Sequence, residues 1–279
     1  MSYNQHRQYQ SYKRNKHHNQ TYQTAQITSC KNQWINYQLE NAKKITLTNC
    51  NEVSDENLKH VGGLDVTYST TQPNLCLGCL AICEYPSCKL VHSITIEKEV
   101  TVPYIPGFLA FRENEMYKEL IDKCREDTPQ YFPQLFMVDG NGIYHPRRFG
   151  SACQIGIEND VPALGAAKTV LYVDGITPSL VTHLTLKTPR GGMKKLYTDD
   201  GEYISTMIRS GEGKHPIIVS PGHKISMERS VEIVRKMLIH KIPEPIFLAD
   251  KLSRDIYEKQ GKIQPKKKYY SSKKVYSGK

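Results

Sequence analysis

The run Val61-Gly-Gly-Leu-Asp-Val-Thr-Tyr68 carries a single carboxylate inside an otherwise apolar strand pattern. Side chains alternate across a strand, so Leu64 and Val66 share one side and Asp65 takes the other. Burying a carboxylate there is costly unless positive charge stands beside it. Asp65 is therefore a candidate functional group on a candidate central strand. Two further strand-like runs follow, Leu75–Tyr85 and Leu90–Val102, across the turn residues Thr71-Gln-Pro-Asn74 and Tyr85-Pro-Ser-Cys88. This order predicts an antiparallel meander. Upstream, residues 32–45 read as a helix with Trp34, Leu39 and Ala42 on its apolar side. Downstream, a helix is expected from Phe111 to Arg125. A buried strand, Leu135–Val138, then ends at Asp139 and a Gly140-Asn141-Gly142 turn, and mixed helix and strand run to about residue 175. Residues 180–219 read as extended strands with Gly-rich turns. Ser226 is a candidate cap for a helix over 227–240, and Pro243-Glu-Pro245 reads as a break before a helix over 247–259. Strands first, then helices alternating with strands, predict an α/β or α+β sheet with helices on its faces.

The 279 residues suffice for one large domain, yet only 38% are hydrophobic, so part of the chain is expected to lie outside the core. Net charge is +10 and is concentrated at the ends. Residues 1–30 carry Arg7, Lys13, Arg14 and Lys16 with no acid; residues 262–279 carry seven lysines and no acid. The middle is nearly neutral. The expected organisation is a disordered polar, basic extension over 1–31, a folded domain over 32–260, and a basic Lys/Tyr tail over 261–279. Lysines interleaved with tyrosines suit loose attraction to phosphates and stacking on bases, and equally suit a solubilising tail. No apolar run is long enough to span a bilayer. An intracellular protein with reduced thiols is expected, in cytoplasm or nucleus, the nucleolus included. Cys76, Cys79, Cys83 and Cys88 lack the paired spacing of zinc sites, and packing of small apolar side chains is the favoured reading over a metal site.

Four carboxylates stand out. Asp65 interrupts one apolar strand and Asp139 closes another; Glu113 begins a helix, and Asp250 follows Leu248-Ala249. Carboxylates converging from different elements suit hard cations such as Mg²⁺, with Mn²⁺ as the alternative. Such a site can clamp a phosphodiester. Taken singly, each acid reads as a surface group or ion pair.

The strings Val61–Tyr68, Pro103-Tyr-Ile-Pro-Gly-Phe-Leu-Ala-Phe-Arg-Glu113, Val138-Asp-Gly-Asn-Gly-Ile-Tyr-His-Pro-Arg-Arg-Phe-Gly150 and Gly165-Ala-Ala-Lys168 stand in that order. Ser220-Pro-Gly-His223 and Ile242-Pro-Glu-Pro245 follow. Together they resemble the endonuclease V family over roughly residues 32–257. The resemblance implies a ribonuclease-H-like mixed sheet flanked by helices. It implies that Asp65, Glu113 and Asp139 hold the metal, with Asp250 at a late position near it. It also sets His145 and Lys168 beside the scissile phosphate; read alone, these are a turn histidine and a surface lysine. Tyr104, Ile105 and Pro106 would form a wedge between bases, stiffened by two prolines. Gly107, Leu109, Gly140, Gly150, Ser151 and Leu171 would line the pocket for a flipped hypoxanthine. Arg147 and Arg148 are candidate phosphate contacts. Ser151 departs from the larger apolar residue common in the family, and Ala166 from a frequent valine.

The implied activity is hydrolysis of the second phosphodiester bond 3′ to inosine, leaving 3′-hydroxyl and 5′-phosphate ends, by a monomer. Asp250, where bacterial relatives usually carry histidine, and the basic ends resemble the eukaryotic branch, so single-stranded RNA is the favoured substrate over deoxyinosine in DNA. A non-catalytic inosine reader and a junction resolvase are the rival readings.

Overall fold

The computed structural model describes residues 30–211 and 215–264. The extension expected at 1–31 and the tail expected at 261–279 lie, apart from residues 30–31 and 261–264, outside the described residues. Eight strands form one mixed sheet: β1 (His60–Tyr68), β2 (Leu75–Glu84), β3 (Leu90–Glu99), β4 (Leu135–Val138), β5 (Ala163–Ala167), β6 (Met193–Tyr197), β7 (Tyr203–Ile208) and β8 (Ile217–His223). Their spatial order is β3-β2-β1-β4-β5-β8-β7-β6. The meander β1-β2-β3 is antiparallel, β1, β4 and β5 run parallel, and β8, β7 and β6 return antiparallel. Among the described residues, six helices flank the sheet: α1, with described residues 30–42, α2 (Leu109–Asp127), α3 (Ser151–Asn159), α4 (Pro178–Lys187), α5 (Met227–Lys236) and α6 (Glu244–Lys259). This is the expected α/β architecture.

Strand alternation divides the core. Leu64, Phe136 and Val138 point to one face, where they pack with Met116, Leu120 and Ile121 of α2 and Ile155 of α3. Val61, Leu135, Met137 and Leu164 point to the other, with Ile233 and Val234 of α5 and Ile246 of α6. The cysteines split in the same way. Cys76 lies in the α2-side core, Cys79 packs against Ala249 of α6, and Cys83 and Cys88 join the α5-side core. Burial raises the Cys79 and Cys83 thiols to about 12, as small apolar side chains.

Three expectations fail locally. Residues 180–187, read as extended, belong to the helix α4. Thr177 caps it by accepting from Leu180 N at 3.0 Å, and Pro178 fills the first turn, where its missing N–H costs nothing. Pro243-Glu-Pro245 does not delay the last helix but starts it: α6 begins at Glu244, with Pro245 in the first turn. Helix α5 also ends at Lys236, short of 240.

Candidate active site

Parallel pairing sets the two central carboxylates side by side. Leu64 pairs with Val138 at the end of the β1–β4 ladder, and Asp139 N donates to Leu64 O at 3.3 Å just beyond it. Asp65 and Asp139 are the next residues along, on the same face. Val138 in turn pairs with Gly165 of β5, so Ala166 is level with Asp139, and Lys168 lies two residues further along that face. Lys168 Nζ meets Asp139 Oδ2 at 2.5 Å. Asp250 arrives from α6. That helix docks close because β1 has glycine at position 63; a Cβ there would stand 2.1 Å from the Pro245 carbonyl carbon. Arg254, one turn on, holds Asp250 through Nε–Oδ1 at 2.5 Å. Glu113 comes from the first turns of α2. Tyr68 donates to its Oε1 and Tyr117 to its Oε2, each at 3.0 Å.

The electrostatics are those of buried anions gathered together. Burial, then the charges of Asp139 and Asp250, push Asp65 up to about 8, although Lys168 opposes the shift. Burial pushes Glu113 up to about 7 against the stabilising Tyr117 and Tyr68 hydroxyls. Burial pulls the Lys168 ammonium down, but Asp139, Asp65 and Asp250 outweigh it and hold its pKa above the usual lysine value. Among the described residues no three His, Cys, Asp or Glu side chains already stand in metal-holding geometry. The donor set nevertheless fits a hard cation. It is all oxygen, its repulsion needs an opposing charge, and one or two carboxylates with waters suffice for an ion of the Mg²⁺ type.

Asp139 and Lys168 also line a pocket beside the carboxylates. Tyr104, Pro106, Gly107, Leu109, Gly140, His145, Gly150, Ser151 and Leu171 line it too, which brings together nearly all the residues singled out for a base. Glycine is required at two of these positions. Gly107 has φ +79°, and a Cβ on Gly150 would lie 2.2 Å from the backbone O of Asn141. Tyr104 lines the pocket and is 64% exposed. Ile105 is half-buried behind it and does not line the pocket.

His145 lines the same pocket, and His145, Arg147 and Arg148 are each bonded within the chain. The His145 Nδ1 accepts from Arg147 N at 3.2 Å, which leaves Nε2 to donate to Gly107 O at 3.0 Å. Burial and then Arg147 push this imidazole down to about 4. It is a neutral ring whose Nε2 holds the Gly107 loop. Arg147 donates to Gln38 Oε1 and Gly107 O, and its guanidinium lies over the Phe108 ring. Arg148 pairs with Glu202 and Asp174. Both guanidinium groups are thus held in place by partners within the chain.

Sequence reasoning missed Gln38, Asn141 and Thr169 as pocket residues. Gln38 is buried; its Nε2 donates to Gly107 O at 3.2 Å and to Phe149 O at 3.1 Å, tying both pocket loops to α1. Only its place on the buried side of a predicted helix hinted at this. Asn141 lies within the Gly140-Asn141-Gly142 turn already noted, and its Oδ1 is buried without a partner among the described residues.

The family model for endonuclease V matches residues 40–251. Endonuclease V of Homo sapiens is 35% identical over 201 residues, 71% of each chain, and that of Dictyoglomus thermophilum is 34% identical over 220 residues, 77% of this chain and 89% of the relative. Among solved structures, the catalytic domain of human endonuclease V aligns with a TM-score of 0.77 at 30% identity, over 84% of this chain and 98% of that one. Endonuclease V of Ciona intestinalis, in complex with a 24mer DNA containing an inosine followed by a ribo-adenosine, aligns with a TM-score of 0.77 at 31% identity, over 84% and 99%. Family model, sequence relatives and solved structures agree with one another: this chain belongs to the endonuclease V family and is an endonuclease.

Proposed function

We propose that the protein is a divalent-metal-dependent nuclease that hydrolyses the second phosphodiester bond 3′ to inosine, with single-stranded RNA as its preferred substrate. The observation that carries this reading is the sharing of Asp139 and Lys168 between the carboxylate cluster and the pocket. A base seated in that pocket has its 3′ phosphates beside the carboxylates. Asp65 and Asp139 would hold the ion, which resembles Mg²⁺ or Mn²⁺ in its demands, with Glu113 and Asp250 alongside. When bound, the ion supplies phosphate polarisation and water activation.

The chain's own residues do the rest. The Tyr68 and Tyr117 hydroxyls orient the Glu113 carboxylate. Lys168 brings a fixed positive charge to the phosphate once cation and substrate compete for Asp139. Tyr104, exposed on a loop flanked by prolines, would fill the gap left by the departing base. Gly107 and Gly140 leave room for backbone to approach the base edge, which can exclude the 2-amino group of guanine.

The preference for RNA rests on Asp250 and on the ligand of the Ciona relative, which has a ribonucleotide directly after inosine. The test is a time course on matched single strands, one RNA and one DNA, each with one inosine, with products sized at single-nucleotide resolution. Faster cutting of RNA, at the second bond 3′ to inosine and leaving a 5′-phosphate, is expected. Faster cutting of DNA would reassign the substrate to deoxyinosine, and a different cut position would refute the geometry.

A further inference from the structure

A second hollow meets the first at Lys168. Lys168 and Asp250 form its inner end, and Arg190, His240, Lys241 and Phe247 stand further out. The sheet explains this placement. Ala167 of β5 pairs with Ile218 of β8, Ile217 with Ile208 of β7, and Ile208 with Met193 of β6. Lys168, the end of β7 and the turn before β6 therefore follow one edge of the sheet, leading away from the carboxylates. The connection from α5 to α6 closes the other wall. It is fixed there by Ser210 Oγ, which donates to Lys241 O at 2.5 Å. The stem of Lys241 crosses Gly211, where a Cβ would lie 3.4 Å from Lys241 Cε. His240 lies against Phe247 with ring centroids 4.0 Å apart and the rings tilted by 42°, and its Nε2 lies 3.3 Å from Glu244 Oε2.

Cations along a groove with an aromatic platform are the ingredients of single-strand binding. Here they also meet an electrostatic need. A cluster of four acids repels a polyanion, and positive charge just beyond it offsets that repulsion. We infer that this groove holds the single-stranded nucleotides on the 3′ side of the cut bond. Phosphates lie along Lys241 and Arg190, and one base packs against the His240–Phe247 pair. The inference rests on the functional reading above, because the direction follows from a base in the first pocket and a cut beside Lys168.

The experiment compares the full-length chain with K241E, Lys241→Arg and His240→Ala. Substrates are inosine strands ending one, three or six nucleotides 3′ to the cut, in Mg²⁺. The wild-type kcat/KM should rise about tenfold from the shortest to the longest, the scale of one stacked base plus a phosphate contact. K241E and His240→Ala should lose most of that gain, and Lys241→Arg should keep it. Reading the gain as a ratio separates groove binding from a general loss of activity. A wild type without the gain, or K241E and His240→Ala variants that both retain it, would overturn the proposal. If the wild type cuts no inosine strand, the functional reading fails, and the groove is judged by fluorescence anisotropy of a twelve-nucleotide strand without inosine. There, at least fivefold weaker binding by K241E supports the groove, and equal binding overturns it.

Discussion

Asp65 is the carboxyl of the site that burial and its neighbours raise furthest. An aspartate ionises near 3.8 when unperturbed, and burial with Asp139 and Asp250 nearby raises this one to about 8. Between those values the folded chain holds a proton that the unfolded chain has released. The contribution of this group to stability therefore falls as pH rises from about 4 to about 8. The metal-free Asp65→Asn variant should melt higher than wild type at pH 8, by about 5 °C for a gain of about 2 kcal/mol, and show little difference at pH 4. Its cleavage should fall at least about a thousandfold. A variant that melts lower than wild type at pH 8 would contradict this electrostatic picture. Metal must displace the same proton, so metal affinity measured by calorimetry should increase with pH up to about 8 and then level off. Asp65 and Asp139 were legible from sequence because each breaks an apolar strand pattern. Gln38 was not. Its partners lie 69 and 111 residues away, and no local pattern announces such contacts.

At the scale of elements, helix docking sets the site's geometry. Helix α6 reaches β1 only because Gly63 has no side chain. Gly63→Ala should push the Pro245–Ile246 backbone outward, cost about 3 kcal/mol in urea unfolding, and move Asp250 with the helix. An unchanged urea midpoint would mean that α6 is not seated there. Helix α1 acts on the pocket through Gln38. Gln38→Ala takes the side-chain donor from Phe149 O and the acceptor from Arg147 Nε, and should cost about 1–3 kcal/mol and raise KM for an inosine strand more than it lowers kcat. A variant with wild-type Tm and KM would refute this role. Element types followed the hydrophobic pattern where it was strong, as in β1, β2 and α2. It failed at α4, whose β-branched Val181, Thr182 and Thr185 imitate a strand, while the Thr177-Pro178 capping signal pointed to a helix. It failed again at α6, where proline opens the first turn rather than breaking the chain.

Across the whole molecule, the parallel centre of the sheet gathers chemistry at one end. The C-terminal ends of β4 and β5 supply Asp139 and Lys168, beside Asp65 in the interior of β1. Helices α2 and α6 bring Glu113 and Asp250 from opposite faces. The pocket and the outer groove meet at Lys168. None of this convergence is visible from the strings alone, because it depends on strand order: β1 and β4 are neighbours although β2, β3 and α2 separate them in the chain. The central claim is that these carboxylates, with a divalent cation, cut a strand whose inosine sits in the adjoining pocket. The most direct measurement is single-turnover cleavage of two strands, identical except for inosine or guanosine at one position, by wild type and Asp139→Ala in Mg²⁺ or EDTA. The account predicts cutting of the inosine strand alone, by wild type alone, in Mg²⁺ alone. Equal cutting of the guanosine strand, or activity that survives EDTA or the loss of Asp139, would contradict it.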